Sequence, residues 1–261
     1  MSAASESKYS SEVLSELLSK LQVADDKEDA ATNVASFLNS SIVEHDVPSE
    51  FFEDLKKQIN NKKDAGVSTS ALIAYSHIAS ANDLSPSVEP FVVALVSDIA
   101  AKAGDKNKDV QEAAAKALLS IATAITPTAV KVILPALLEN LSSTNKWTEK
   151  IAILAAISQL VDTAKGPIAL RMPELIPVLS EAMWDTKKEV KEAATKTMTK
   201  STETIDNKDI EKFIPKLIEC IAKPTEVPET VHILGATTFV SEVTMATLSI
   251  MAPLLSRGLA E

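Results

Sequence analysis

The sequence predicts an all-α chain built from one helix pair repeated along its length, and three observations lead there. Glycine is nearly absent, at five of 261 residues, which leaves few of the turns that many short strands would need. The apolar residues, 46% of the chain, are mostly Ala, Leu, Ile and Val at helical spacing, with aromatics at 4%. Two separate markers then recur at about 40 residues, the period expected of stacked helix pairs.

The first marker is a proline with apolar residues two and six positions later. It occurs at Pro90 with Val92 and Val96, Pro135 with Leu137 and Leu141, and Pro177 with Leu179 and Met183. Pro215 with Leu217 and Ile221, then Pro253 with Leu255 and Leu259, continue it at intervals of 45, 42, 38 and 38. The second marker is a β-branched residue followed four positions later by a very small one. The pairs are Val67/Ala71, Val110/Ala114, Ile151/Ala155, Val190/Ala194 and Val231/Gly235. Positions i and i+4 share a helix face, so a small residue there admits a neighbouring helix closely.

Each unit therefore reads as helix A, carrying the proline, followed by an antiparallel helix B. Ser85-Pro86 and Thr126-Pro127 supply starts for A helices. Thr186 with Glu189 reads as a capping box opening a B helix. A proline inside a helix costs about 3 kcal/mol, so its recurrence implies a kinked A helix. The expected architecture is a right-handed α-α superhelix, a HEAT-repeat solenoid of about six antiparallel pairs plus an unpaired last helix.

Residues 1–85 fit less regularly and are expected to hold capping and atypical repeats, with regular repeats over 86–261. Leu14, Leu17, Leu18 and Leu21 mark a first helix, and Val34, Phe37 and Leu38 a second. Phe51, Phe52, Leu55 and Ile59 mark a third. The last unit stops after its A helix, leaving Leu254, Leu255 and Leu259 without a B helix to cover them. That pattern is expected of a piece of a longer chain, truncated inside its last repeat.

Stacking such pairs puts every A-to-B turn along one edge. The turns read NNKKDAG, GDKNKD, STNKWTEK, WDTKKEVK and KPTEVPE. Lys62, Lys63, Lys106, Lys108, Lys146, Lys150, Lys187, Lys188 and Lys191 thus gather as a ridge on a chain of net charge −10. Its target is phosphate, with counterion release supplying affinity. The rival reading is a row of solvated turn lysines, diluted by Asp105 and Asp185. Trp147 and Trp184, the two tryptophans, fall at these turns as well. Trp147 joins the contact set, whereas Trp184, beside apolar Met183, reads as packing between repeats.

Catalytic chemistry has no carrier here. None of the glycines belongs to a phosphate-binding GxxxxGK[ST] loop, and His45, His77 and His232 lie far apart without HExxH. His77 reads as a packed or rim histidine, and His232 as packed within its helix. Cys220, the one cysteine, sits on an apolar helix face and reads as a buried, inert thiol. No metal site, DNA-binding surface or membrane span is expected, and the cytosol is the natural compartment. One small site is conceivable in the loops IVEHDVP (42–48) and NDLSPSVEP (82–90), where Ser85, Ser87 and His45 face a helix start.

The stretches NKWTEKIAILAAISQLVDTAKGPIALRMPELIPVLSEAMWDTKKEVKEAA and KPTEVPETVHILGATTFVSEVT, with IVEHDVP and LSPSVEP upstream, resemble the N-terminal HEAT region of the elongation factor 3 family of fungal-type ribosomal ATPases. The resemblance runs along essentially the whole chain. It implies a domain that docks on the small ribosomal subunit, contacting rRNA and protein. It also implies a full-length protein in which separate ATPase domains use ATP and Mg²⁺ to promote release of deacylated tRNA from the ribosomal exit site. No cofactor is expected in these 261 residues themselves. The resemblance further implies nucleotide contacts at Val43, His45 and Ser87. Three rivals stand beside it: the HEAT segment of the ribosome-associated activator of the amino-acid-starvation kinase, a peptide-binding HEAT scaffold, and an unknown hydrolase. The initiator Met1, followed by only one or two capping helices, favours the elongation factor over the activator, where the segment lies deep inside a very long chain.

Overall fold

In a computed structural model, residues 11–23, 31–35, 49–80, 86–222, 227–236, 238 and 240–258 are described, and every regular element among them is a helix. The chain divides into two compact units, Met1–Ile125 and Thr126–Glu261.

The first unit holds α1 (Ser11–Val23), α2 (31–35), α3 (Ser49–Ile59), α4 (Ala65–Ser80), α5 (Glu89–Ala94), α6 (Val96–Lys102) and α7 (Lys108–Ala124). α3 pairs with α4, and α6 with α7, while α4 and α7 share the broadest packing surface. Leu18 and Leu21 are buried on α1, as are Phe51, Phe52, Leu55 and Ile59 on α3. Phe52 stacks on Phe91, tying α3 to α5 with ring centroids 5.2 Å apart. Polar groups inside the unit are matched. Tyr75 donates to the Val92 carbonyl at 2.9 Å, Ser68 to the Ile59 carbonyl at 2.7 Å, and Ser76 meets Ser120 at 2.7 Å between α4 and α7.

The second unit holds α8 (Val130–Ser143), α9 (Trp147–Thr163), α10 (Lys165–Leu170), α11 (Met172–Ala182), α12 (Lys188–Thr202), α13 (Lys208–Glu211), α14 (Ile214–Ala222), α15 (Val227–Gly235) and α16 (Met245–Gly258). α8 packs on α9, α11 on α12 and α14 on α15, and the B helices α9 and α12 lie together. Thr197 joins them by donating to the Leu154 carbonyl at 3.2 Å.

The proline marker has a simple geometric basis. At about 100° per residue, positions +2 and +6 lie roughly 200° and 240° around the helix from the proline. Pro90, Pro135, Pro177 and Pro215 are exposed, while Val92, Val96, Leu137, Leu141, Leu179, Met183, Leu217 and Ile221 are buried. The proline thus sits where water can satisfy the carbonyl it frees. Kinking follows a different rule from the one expected. Pro135, Pro177 and Pro253 lie inside continuous helices, whereas three A helices break at Leu95, at Arg171 and at residues 212–213. Pro90 and Pro215 stand second in α5 and α14, where a missing N–H is harmless.

The small-residue marker is right for Val110/Ala114 and Val190/Ala194, which are buried. At Val67/Ala71 the small residue is fully buried and Val67 half-buried, while on α9 and α15 the marker slips by one residue. Ile151 and Ala155 are half-buried, and the buried pair on α9 is Ala152 and Ala156. On α15, Gly235 is exposed and Val231 half-buried, with Thr230 and Leu234 buried instead. His232 points out to solvent rather than packing. Cys220 is buried, its Sγ 3.0 Å from Thr230 Oγ1.

The end of the second unit is covered differently from the expectation. α16 lies against α10, α11, α14 and α15, and Leu254 is fully buried together with Ile250. Leu255 is exposed, and Leu259 lies outside the described residues.

Candidate functional site

The candidate site is the set of A-to-B turns, and short polar side chains shape each of them. In the first unit, Asn61 Oδ1 accepts the amides of Lys63 at 2.8 Å and Asp64 at 3.1 Å. Asp64 then accepts those of Gly66 at 2.8 Å and Val67 at 3.2 Å, capping α4. Lys62 and Lys63 are left exposed with no ion-pair partner among the described residues. In the next turn, Asp105 accepts the Asn107 amide at 3.0 Å, and Asn107 accepts those of Asp109 and Val110 to cap α7. Lys106 is exposed, whereas Lys108 reaches Glu112 at 3.6 Å. The two turns belong to adjacent pairs, since Asp98 on α6 accepts from Asn60 at 2.8 Å and faces Lys56 at 3.4 Å.

The second unit repeats the device. Thr144 Oγ1 accepts the Lys146 amide at 3.2 Å, and Asp185 Oδ1 accepts that of Lys187 at 2.8 Å. The Thr186–Glu189 capping box does not form: the N-cap of α12 is Lys187, with no side-chain cap, and the Thr186 hydroxyl bonds to Asp185. A short side chain two residues before the N-cap does the work instead, as Asp105, Thr144 and Asp185 each show.

Two bonds lock successive turns of this unit together. Lys150 Nζ donates to Asp185 Oδ2 at 2.6 Å, with side chains only 20% and 10% exposed. Trp184 Nε1 donates to the Ile221 carbonyl at 3.1 Å. Burial pushes the Asp185 carboxyl up, but the Lys150 and Lys187 donors, the Lys150 charge and the Thr186 hydroxyl together hold it below the usual range.

The sequence-predicted lysines thus fall into two groups. Lys62, Lys63 and Lys106 in one unit, and Lys146, Lys187 and Lys191 in the other, are exposed cations without an ion-pair partner among the described residues. Lys108 and Lys188 share their charge with Glu112 and Glu192 one turn on, and Lys150 is committed to Asp185. Trp147 and Trp184 are 45% and 50% exposed. Glu149, buried in the first turn of α9 and accepting from Thr144 at 2.7 Å, went unnoticed in the sequence. Its signal was a carboxylate two residues after Trp147.

Val43 and His45 lie outside the described residues, and Ser87 is exposed in the turn before the six-residue α5. Among the described residues no cluster of His, Cys, Asp and Glu offers a metal site, and no helix is long and apolar enough to cross a membrane.

Comparison with known proteins follows the same stretches. Residues 27–198 match the family described as the EF3 N-terminal HEAT repeat, and residues 225–261 the elongation factor 3/GNC1 HEAT repeat. The chain is 83% identical over all 261 residues to elongation factor 3 of Candida albicans, covering 25% of that protein. It is 62% identical over 259 residues to elongation factor 3A of Saccharomyces cerevisiae, covering 98% of this chain and 24% of that one. It therefore spans about a quarter of the length of these curated relatives. Among solved structures, a TOG-domain structure of crescerin aligns with a TM-score of 0.55 at 16% identity, covering 89% of this chain and 93% of that one. That likeness shows the α-solenoid fold alone. A match over residues 27–198 and 83% identity over the whole length of the chain place it in the elongation factor 3 family, as its N-terminal HEAT-repeat region.

Proposed function

We propose that this chain is the ribosome-docking part of a cytoplasmic translation elongation factor 3, seated on the small subunit through the A-to-B turns of its helix pairs. The observation that carries the reading is the set of exposed lysines at those turns. Lys62, Lys63 and Lys106, and Lys146, Lys187 and Lys191, are exposed without a carboxylate partner among the described residues, on a chain of net charge −10. An acidic body with basic turns directs a polyanion to those turns and repels it elsewhere. The polar caps fix the turn backbones, so the lysines approach phosphate from a rigid base, and counterion release supplies affinity. Ribosomal protein contacts complete the interface.

In the full-length protein, ATPase domains bind ATP and Mg²⁺ and drive release of deacylated tRNA from the exit site. This chain contributes position, not chemistry, and its partners are the small subunit and those domains. Co-sedimentation with purified small and large ribosomal subunits over a salt series tests the reading. Binding to the small subunit that falls steeply with salt is expected. Equal binding to both subunits, or binding indifferent to salt, would overturn it.

A further inference from the structure

A groove of about 420 Å³ opens in the second unit between the α8–α9 turn and the α11–α12 turn. Trp147 and Trp184 line it, at 45% and 50% exposure, and the chain has no other tryptophan. The Lys150–Asp185 pair also lines it and is among its least exposed parts. Lys187 and Glu181 are its exposed charges.

We propose that this groove binds an unpaired base of single-stranded RNA, stacked against its indole rings, with the flanking phosphates on the lysines of the two turns. The inference rests on the ribosome-docking reading and names the RNA element that one of its contacts takes. Two half-exposed indoles leave aromatic surface in water among the described residues, and stacking on a base buries it. The indole N–H of Trp184 is already bonded to the Ile221 carbonyl, so that ring is held in place before any ligand arrives. The volume suits one nucleobase and its sugar but not a duplex.

Charge selects RNA over a basic peptide. Asp185 is neutralised by Lys150, which leaves Glu181 as the lining carboxylate without an ion-pair partner among the described residues. Lys187 in the lining, with exposed Lys146 in one turn and Lys191 in the first turn of α12, outnumbers Glu181 and the exposed Glu189 of that same helix start by three to two. Glu181 has a complementary task, since a carboxylate accepts from an exocyclic amino group such as that of cytosine.

Because both tryptophans line the groove, intrinsic fluorescence reads it directly. The probe is a mixed-sequence single-stranded oligoribonucleotide of about eight nucleotides, within the usual span of such sites. Saturable quenching is expected, with Trp147→Ala weakening affinity about tenfold and Trp147→Phe restoring most of it. Trp147 is chosen because Trp184 also holds Ile221. Inorganic polyphosphate of matched charge should leave the fluorescence unchanged. Equal quenching by polyphosphate, unchanged affinity in Trp147→Ala, or tighter binding of an arginine-rich octapeptide would each overturn the proposal. The two readings fail separately. Sedimentation with the small subunit but no oligoribonucleotide quenching sinks the groove alone, and quenching without sedimentation sinks the docking reading.

Discussion

Lys150, in the first turn of one B helix, closes on Asp185, in the turn that precedes the next, at 2.6 Å. The contact turns two neighbouring helix pairs into one rigid support for Trp147, Trp184 and Lys187. Asp185 does two jobs, since it also accepts the Lys187 amide that shapes the turn. Replacing it should therefore cost more than replacing its partner. Asp185→Ala is expected to destabilise by about 1.5–3 kcal/mol and Lys150→Met by less, read from chemical denaturation.

The same carboxyl gives a pH signature. Its pKa is depressed in the folded state, so its contribution is present above the unfolded value of about 3.9 and is lost as pH falls through the folded value. The stability gap between the wild-type chain and Asp185→Asn should be full at neutral pH and shrink below about pH 4. A gap that widened on acidification would contradict the assigned sign.

Trp184→Phe keeps a smaller aromatic ring in the groove and loses the indole N–H that meets the Ile221 carbonyl. The expected loss is about 0.5–1.5 kcal/mol in thermal or denaturant unfolding. Tyr75→Phe is the matching change inside the first unit, where the fully buried phenol donates to the Val92 carbonyl. A loss of about 1 kcal/mol is expected there.

Packing between the B helices offers a positional test. Ala156 is buried on α9 and Ala155 half-buried. Ala156→Leu should cost about 1–3 kcal/mol by overpacking, while Ala155→Leu stays within about 0.5 kcal/mol of the parent. Reversal of that order in melting temperature would place the α9 face wrongly.

That one-residue difference shows what the sequence carried. The A-helix face was legible because an exposed proline fixes its opposite side, and Val92, Leu137, Leu179 and Leu217 fell where two-residue spacing put them. The B-helix face was legible where Val110 and Val190 open it. On α9, the third residue after the N-cap is Glu149 rather than a β-branched residue, buried through its bond from Thr144. An apolar marker searched past it and settled one position off. The capping box failed for a related reason, because Asp185 reached the turn amide first. The turns and their lysines were readable from spacing. Which lysines stay free was not, since Lys150, Lys108 and Lys188 find carboxylates 35 and four residues away. The fold of α16 back onto α10 and α11, burying Leu254, likewise depends on contacts that no local pattern encodes.

The most direct test of ribosome docking compares two charge reversals of equal size in co-sedimentation with purified small subunits. Lys187→Glu with Lys191→Glu alters the A-to-B edge, whereas Lys131→Glu with Lys165→Glu alters exposed lysines at the starts of α8 and α10, on the opposite edge of the second unit. Docking through the lysine turns predicts that the first variant loses binding and flattens the salt dependence while the second binds as the parent does. Equal binding by both variants, with both still folded, would contradict it.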